Sequence, residues 1–363
     1  MRLLRLGHER GTEGTAQSAD AAAAAPPIPG RMVRQRLALI LPPFAVAAVA
    51  VLVLAPTLGS TSISLARAFD PSIPWDENVD AQIFFVARLP RVLAGALVGA
   101  TLAGAGVVLQ ALLRNPLATP FTLGVSASAA LGAMLAIATN LDLSPFGAAA
   151  VPTASFTGAL AGTAIVYLLA TRVNRALSTN VLLLAGVTLN TLFSALITFV
   201  QYLIDVGDWY RTARWLLGNL DVSSFGPIAA SLPLIGISLA CFAVLPRALN
   251  LLTLGEDVAA ARGVDVGRAQ RIAFLSASFA TGAAVSLAGP IGFIGIVVPH
   301  LVRLLVGADH RVVLPASLLF GATFLMLCDL IARTAMSPIE LPVGIVTALI
   351  GGPFFIWLLI RRA

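Results

Sequence analysis

Charged side chains are scarce in this sequence, and one of the two strongly basic residue types is missing. Asp, Glu, Lys and Arg make up 11% of the 363 residues, against about a quarter in ordinary soluble domains. No lysine occurs, so the formal net charge of +6 comes from arginine alone. Mean hydropathy is +0.93, and the arginines lie at the ends of apolar runs. This pattern predicts a membrane protein with no nucleic-acid partner.

The chain also lacks the patterns of common catalytic and metal sites. It has no GxxxxGK[ST] loop to hold ATP phosphates, and no HExxH or GxSxG motif. Its two cysteines, Cys241 and Cys328, fall in apolar segments without CxxC spacing or a nearby histidine cluster. They are interpreted as small packed residues rather than disulfide or metal ligands. We therefore expect no catalytic, cofactor-binding or metal-binding residues in this chain.

Long apolar runs recur throughout the sequence. A membrane-spanning helix needs about 20 apolar residues, so this length accommodates roughly ten. The predicted fold is an all-α polytopic membrane protein with about ten transmembrane helices. The candidate spans are 37–58, 89–113, 121–139, 148–171, 181–203, 227–246, 272–288, 292–305, 313–331 and 343–360.

The placement of arginine orients these spans. With the N-terminus inside, the cytoplasmic segments receive most arginines, including Arg114, Arg172 and Arg262, while acids such as Asp70 and Asp205 collect on the other face. This bias predicts a multi-pass protein with both termini in the cytoplasm.

The sequence also predicts how the chain divides. Residues 1–30 are rich in alanine, glycine and scattered charges, which is typical of a disordered tail, here cytoplasmic. Residues 31–363 form the predicted transmembrane domain. Within it, residues 249–271, called the coupling segment below, form the longest cytoplasmic loop. The motifs Gly95-x-x-x-Gly99 and Gly158-x-x-x-Gly162 predict close helix packing within the chain.

Three motifs carry a family resemblance. They are the charged, proline-broken loop 114–120 between two spans, the sequence Gly-Glu-Asp-Val-Ala-Ala-Ala-Arg-Gly at 255–263, and Glu-Leu-Pro-Val-Gly at 340–344. Together they resemble the FecCD family of ABC importer permeases over roughly residues 81–362. The resemblance implies a type II importer architecture in a bacterial inner membrane.

The same resemblance implies cargo and partners. The chain would form a dimer, homomeric or heteromeric, around one pathway, with two ATP-binding cassette subunits and a soluble substrate-binding protein. ATP and magnesium would be used by the ATPase subunits. The cargo would be an iron chelate, either a ferric siderophore or haem, with cobalamin as the alternative. A different class, an ion-coupled secondary transporter, needs membrane-embedded carboxylates, and only Asp329 suggests one.

The coupling segment contains a predicted short helix. Gly255 precedes the helix and interrupts the preceding structure. Glu256 and Asp257 lie in the first turn of the helix, and Gly263 ends it. Composition alone is compatible with an ordinary solvated loop. The resemblance implies instead that this element docks on the ATPase. The residues assigned to that role are Gly255, Glu256, Asp257, Ala260, Arg262 and Gly263.

Three arginines are candidates for docking the binding protein. Arg88 and Arg91 lie at the outer edge of the second span, and Arg333 follows the ninth. Two arginines at a membrane surface could simply reach lipid headgroups. The resemblance implies that all three pair with carboxylates on the binding protein, for which the forked guanidinium is suited. Asp329 is expected to pair with Arg333 across one helical turn.

The fifth span carries a polar stripe. Asn190, Ser194 and Thr198 are four residues apart and therefore share one helix face. Interhelical hydrogen bonding and a lining role in the transport pathway explain the stripe equally well. Before the span, the sequence Ser178, Thr179, Asn180 resembles the family's cytoplasmic gate region.

Overall fold

The computed structural model describes residues 30–143, 149–173 and 179–362. Residues 1–29 of the predicted tail and the predicted gate residue Ser178 lie outside these ranges. The chain divides into two units, 1–39 and 40–363, and the packing discussed below lies within the second. Every regular element in the described ranges is helical, as the apolar runs predict.

The α-helices, in chain order, are α1 (Gly30–Leu54), α2 (Leu65–Ala68), α3 (Val79–Gln82), α4 (Leu89–Leu112), α5 (Val125–Ala138), α6 (Ala150–Val173), α7 (Thr179–Leu203), α8 (Val206–Leu216), α9 (Phe225–Val244), α10 (Pro246–Leu252), α11 (Glu256–Ala261), α12 (Val266–Ala288), α13 (Ile294–Val306), α14 (His310–Thr334) and α15 (Val343–Arg362). A 3₁₀ turn, Ala55–Thr57, follows α1, and a π-helical stretch, Ile83–Arg88, joins α3 to α4.

The prediction of about ten spans is confirmed. Within the described ranges, seven helices are long and apolar enough to cross a membrane, and three shorter apolar helices accompany them. Some helices begin earlier than predicted: α12 begins at Val266 rather than at 272, and the second span continues a helix that begins at Val79 and runs for 34 residues. The Asn78 side chain accepts a hydrogen bond from the backbone N–H of Ala81 at 3.0 Å, which starts the helix ahead of the apolar run.

Small residues let the central helices approach closely. A Cβ added to Gly99 in α4 would lie 2.7 Å from the Leu325 Cβ of α14, and one added to Gly158 in α6 would lie 3.2 Å from Gly132 of α5. Both glycine motifs therefore pack within the chain, as predicted. Lipid provides no hydrophobic drive between helices, so these close contacts are what hold the elements together.

Long-range contacts define two ends of the helical unit. At the arginine end, which contains Arg88, Arg91 and Arg333, the α4 and α14 helices meet the turn after α1. At the coupling end, α10 meets the start of α14, and the loop after α4 meets α11. Helices α4 and α14 run between these ends.

Candidate functional sites

The arginine end contains a buried ion-pair network centred on Asp329. Arg91 Nε lies 2.8 Å from Asp329 Oδ1, and Arg91 Nη1 lies 2.6 Å from Glu340 Oε2. Arg333 Nε lies 3.0 Å from Asp329 Oδ2, which confirms the predicted pairing across one turn. Both oxygens of Asp329 therefore face guanidinium groups. An arrangement of this kind compensates the carboxylate rather than leaving it available to a coupling ion.

The same arginines also hold the chain after α1. Arg88 donates to the carbonyl oxygens of Pro56 at 3.3 Å, of Thr57 at 3.2 Å, and of Thr61. Arg333 donates to Leu58 O at 3.2 Å and to Ala55 O at 3.3 Å. These carbonyls belong to the chain that follows α1, where Ala55 O also accepts from the backbone N of Leu58. Buried carbonyl oxygens need hydrogen-bond donors, and the two arginines provide them.

The position of the three arginines differs from the expectation of surface side chains. Arg88, Arg91 and Arg333 are only 6%, 7% and 3% exposed. The helix that begins at Val79 continues outward past Arg88 and Arg91, and the chain after α1 covers Arg88 and Arg333. Their guanidinium groups bond to protein atoms, so these side chains do not simply extend to lipid headgroups. Their docking role remains a prediction.

A cavity of about 250 Å³ opens beside this network. The three arginines contribute to its wall, together with Glu340, whose side chain is 46% exposed, and Asp221. The cavity therefore combines three positive and two negative groups. Of the three arginines in this wall, Arg88 is the one whose described partners are neutral carbonyl oxygens rather than carboxylates.

The coupling segment folds as a short helix flanked by two turns, as predicted. Helix α11 spans Glu256–Ala261, between Gly255 at φ 124° and Gly263 at φ 79°. Both angles lie in the region that only glycine enters without strain. One face of α11 is anchored, since Ala259 is fully buried against Leu252 and Ala269.

The other face of α11 is open. Asp257, Ala260, Arg262 and Gly263 are exposed. Two aliphatic side chains accompany them: Leu254 is 61% exposed and Val258 is 39% exposed. Apolar side chains exposed on an ordered, charge-rich segment are typical of an interaction surface.

Glu256 has a different role from its neighbours. Its Oε1 lies 3.5 Å from Arg114 Nη2 and accepts a hydrogen bond from Gln270 Nε2 at 3.1 Å. Glu256 therefore ties α11 to the loop 114–120 and to the start of α12. Sequence reasoning assigned Glu256 to the ATPase-docking residues and did not find this contact, because a partner 142 positions earlier in the chain leaves no local signal.

Sequence reasoning missed a second polar cluster at the coupling end. Asn250 Nδ2 donates to Asp309 Oδ1 at 2.7 Å, and Asn250 Oδ1 accepts from the backbone N of His310 at 2.8 Å. Burial raises the pKa of the Asp309 carboxyl, but hydrogen bonds from Arg311 and Asn250 outweigh it and leave the pKa below its usual value. An aspartate before an apolar helix is a capping signal, but nothing in the sequence indicated its partner.

Another polar contact joins α4 to α13. Gln110 Nε2 donates to Gly295 O at 2.8 Å, and Arg303 donates to Gln110 Oε1. Sequence reasoning missed this contact, because Arg303 and Gln110 lie 193 positions apart. The contact satisfies a carbonyl near the start of α13, where the chain turns through Phe293 at φ 68°.

The polar stripe of α7 lies on a side that the chain leaves uncovered. Ser194 and Thr198 are exposed and Asn190 is half-buried, whereas Leu189, Phe193 and Ile197 on the other side are buried. Thr198 Oγ1 donates to Ser194 O at 3.0 Å within the helix. The predicted gate residue Thr179 is half-buried at the start of α7, and Asn180 is exposed.

Clusters of three or more His, Cys, Asp or Glu side chains that could hold a metal ion are not found among the described residues. The stripe of α7 offers hydroxyl and amide groups only. These groups bind a bare metal ion weakly compared with carboxylates, imidazoles and thiolates.

Comparison with known proteins agrees with this architecture. Residues 47–361 match the model of the FecCD transport family. The chain is 46% identical over 277 residues to the cobalamin import system permease protein BtuC of Halobacterium salinarum, covering 76% of this chain and 72% of that protein. It is 38% identical over 306 residues to the hemin transport system permease protein HmuU of Yersinia pestis, covering 84% and 90%.

A solved structure supports the fold. The chain superposes on an ABC transporter described as metal-chelate type, in an inward-facing conformation, with a TM-score of 0.74 and 34% identity. The match covers 88% of this chain and 99% of that chain.

Proposed function

The chain belongs to the FecCD transport family, as the permease subunit of an ABC importer for metal chelates, haem or vitamin B12, and we propose that its cargo is an iron chelate. The observation that carries this proposal is the uncovered α7 face, with Asn190, Ser194 and Thr198. Uncharged hydroxyls and amides can contact the periphery of a chelate without competing for its metal. Two of the three relatives reported above are named for haem or metal chelates.

Cobalamin is the second candidate, and a specific observation favours it. The relative named for cobalamin has the highest identity of those reported, 46%. The two cargoes are separated by ligand-shift measurements on the cognate binding protein, followed by uptake of the ligand it prefers. Preference for a ferric siderophore or haem supports the proposal. Binding and uptake of cobalamin alone would contradict it.

The pathway in this proposal lies between two copies of a permease. Polar side chains in a membrane-spanning helix are costly against lipid, so they face protein or a water-filled cavity. The exposed α7 stripe, Ser194 and Thr198 with half-buried Asn190, would therefore face a second permease copy across a central pathway. Thr179 and Asn180, at the start of the same helix, would contribute to its cytoplasmic gate. Ser178, the remaining predicted gate residue, lies outside the described residues.

The coupling end would face the cytoplasm and bind the ATPase subunits. The arginine distribution of the sequence favours this orientation, with both termini also inside. In the proposed complex, Asp257, Ala260 and Arg262 contact the ATPase together with the exposed Leu254 and Val258. Gly255, Glu256 and Gly263 hold α11 in its position. The ATPase subunits bind ATP and magnesium, which drive the transport cycle.

The arginine end would then receive the substrate-binding protein. Arg91 and Arg333 are compensated within the chain, whereas the described partners of Arg88 are carbonyl oxygens. A carboxylate of the binding protein that reached the cavity would meet Arg88 first, and would compete with Glu340 for Arg91. Docking of this kind depends on charge complementarity, which affects both affinity and the rate of association.

A further inference from the structure

Asn250 connects two parts of the chain that are far apart in sequence. Its amide nitrogen donates to Asp309 Oδ1 at 2.7 Å, while its amide oxygen accepts from the backbone N of His310 at 2.8 Å. His310 Nδ1 also lies 2.7 Å from the same amide oxygen. A carboxylate only accepts hydrogen bonds, so the Asn250 amide nitrogen must face Asp309. An amide oxygen also only accepts, so His310 Nδ1 must carry a proton to bond to it. We call these three residues the asparagine clamp.

On one side the clamp holds the coupling segment. Asn250 lies in α10, which ends at Leu252, only a few residues before α11 begins at Glu256. Leu252, Ala259 and Ala269 form one buried apolar cluster. Helices α10 and α11 and the start of α12 therefore pack as one small unit, and a force applied to the exposed face of α11 reaches Asn250 through this packing.

On the other side the clamp holds the beginning of α14. This helix spans 25 residues and contains Pro315 in its second turn; it is about 37 Å long at 1.5 Å per residue. Near its far end, Asp329 and Arg333 enter the ion-pair network with Arg91. Close packing of Gly321 on Gly99 fixes α14 against α4 between the two ends. One helix thus joins the clamp to the arginine end.

We infer that Asn250, acting on Asp309 and His310, is a positioning residue that transmits movement between the ATPase-docking element and the arginine end of the transporter. The inference rests on the proposed function and adds a physical route to it. The clamp resists sliding of α10 along α14 because any such movement stretches all its hydrogen bonds together. One of these bonds is charge-assisted, and such bonds are stronger than neutral ones.

The alternative role for this cluster is purely local, namely capping of α14. The contacts of Asp309 distinguish capping from the positioning role proposed for Asn250. Asp309 caps α14 by accepting from the backbone N of Arg311 at 3.0 Å, and its side chain also bonds to that of Arg311. Asp309 therefore keeps its own cap without Asn250, which in addition satisfies only the backbone N–H of His310. Removing Asn250 should leave α14 intact while releasing it from the coupling segment.

The test uses the complete transporter in proteoliposomes, with its ATPase subunits and loaded binding protein. In Asn250→Asp, two carboxylates would face each other across the clamp. Asn250→Asp combined with Asp309→Asn again places a donor opposite an acceptor. Because Asp309 Oδ1 also accepts from the backbone N of Arg311, the amide at position 309 restores only part of these contacts. Thr253→Ala is the matched control, because this exposed side chain bonds only to the Asn250 carbonyl within its own turn.

Three quantities are measured: ATPase co-purification, basal ATP hydrolysis, and the stimulation of hydrolysis and uptake by loaded binding protein. Co-purification and basal hydrolysis should be retained in every variant. Stimulation and uptake should fall about tenfold in Asn250→Ala and Asn250→Asp, within the range typical of coupling between distant sites. The double variant should recover part of this loss, and the control should lose nothing.

Normal stimulation in both single variants would overturn the inference. So would loss of ATPase co-purification in Asn250→Ala, because Asn250 would then be needed for assembly, or a double variant that recovers nothing. Failure of the proposed function has a different signature: the unmodified complex would take up no metal chelate, haem or cobalamin with ATP and binding protein present.

Discussion

At the scale of single residues, we expect substitutions of the buried charged side chains at the arginine end to have the largest effects on stability. Asp329 is fully buried, and both its oxygens face guanidinium groups of Arg91 and Arg333. Removing one member of such a network leaves its buried partners charged and uncompensated. Surface pairs carry no such penalty, because water solvates whatever remains.

A matched pair of substitutions tests this difference. Arg91→Gln should lower the free energy of unfolding by about 3–5 kcal/mol, since it leaves Asp329 partly uncompensated. Arg211→Gln, which removes the exposed partner of Asp208, should cost at most about 1 kcal/mol. Thermal and denaturant unfolding of the purified chain in detergent would measure both. Equal losses would show that the Asp329 network is not a buried ion-pair centre.

Docking of the binding protein is tested at Arg88. Arg88→Glu should weaken binding more than Arg88→Ala does, because it replaces attraction of an incoming carboxylate by repulsion. Both variants lose the bonds to the turn after α1, so the alanine variant controls for that structural damage. Arg67→Glu is a second control, at an exposed arginine paired with Asp80. Equal affinities for Arg88→Glu and Arg88→Ala would refute the docking role of this residue.

At the scale of elements, the spans could be predicted from the sequence and their contacts could not. A run of about 20 apolar residues is a local signal, and all ten predicted runs coincide with helices. The pairing of Asp329 with Arg333 was predictable because one helical turn separates them. Arg91 and Asp329 are 238 positions apart, so only the packing of α4 against α14 brings them together. The Asn250 contacts were missed for the same reason.

The glycine that ends α11 provides a prediction for the coupling element. Gly263 at φ 79° and Gly267 in α12 both have room for a Cβ, and they differ in backbone conformation. Gly263→Ala should therefore raise the energy of the folded turn by about 1–2 kcal/mol. Gly267→Ala, within a helix, should leave stability unchanged or increase it. Uptake and substrate-stimulated ATP hydrolysis should fall together in the first variant only. Normal transport by Gly263→Ala with the ATPase still bound would mean that the turn plays no part in coupling.

At the scale of the whole molecule, orientation in the membrane is the first requirement. In a background where Cys241 and Cys328 are replaced by alanine, single cysteines are introduced as Asp76→Cys and Asp257→Cys, at exposed positions on the two ends. An impermeant maleimide should label position 76 in intact cells and position 257 only after permeabilisation, because the arginine bias places the coupling segment inside. Labelling of position 257 from outside would reverse the orientation.

The central claim is that this chain forms a passage driven by a separate ATPase. The most direct measurement is uptake of a ferric siderophore or haem into proteoliposomes containing the permease and loaded binding protein, with and without the ATPase subunits. We predict that uptake requires both the ATPase subunits and hydrolysable ATP, and that an imposed proton or sodium gradient does not replace them. Uptake that persists without the ATPase and follows an ion gradient would contradict the account.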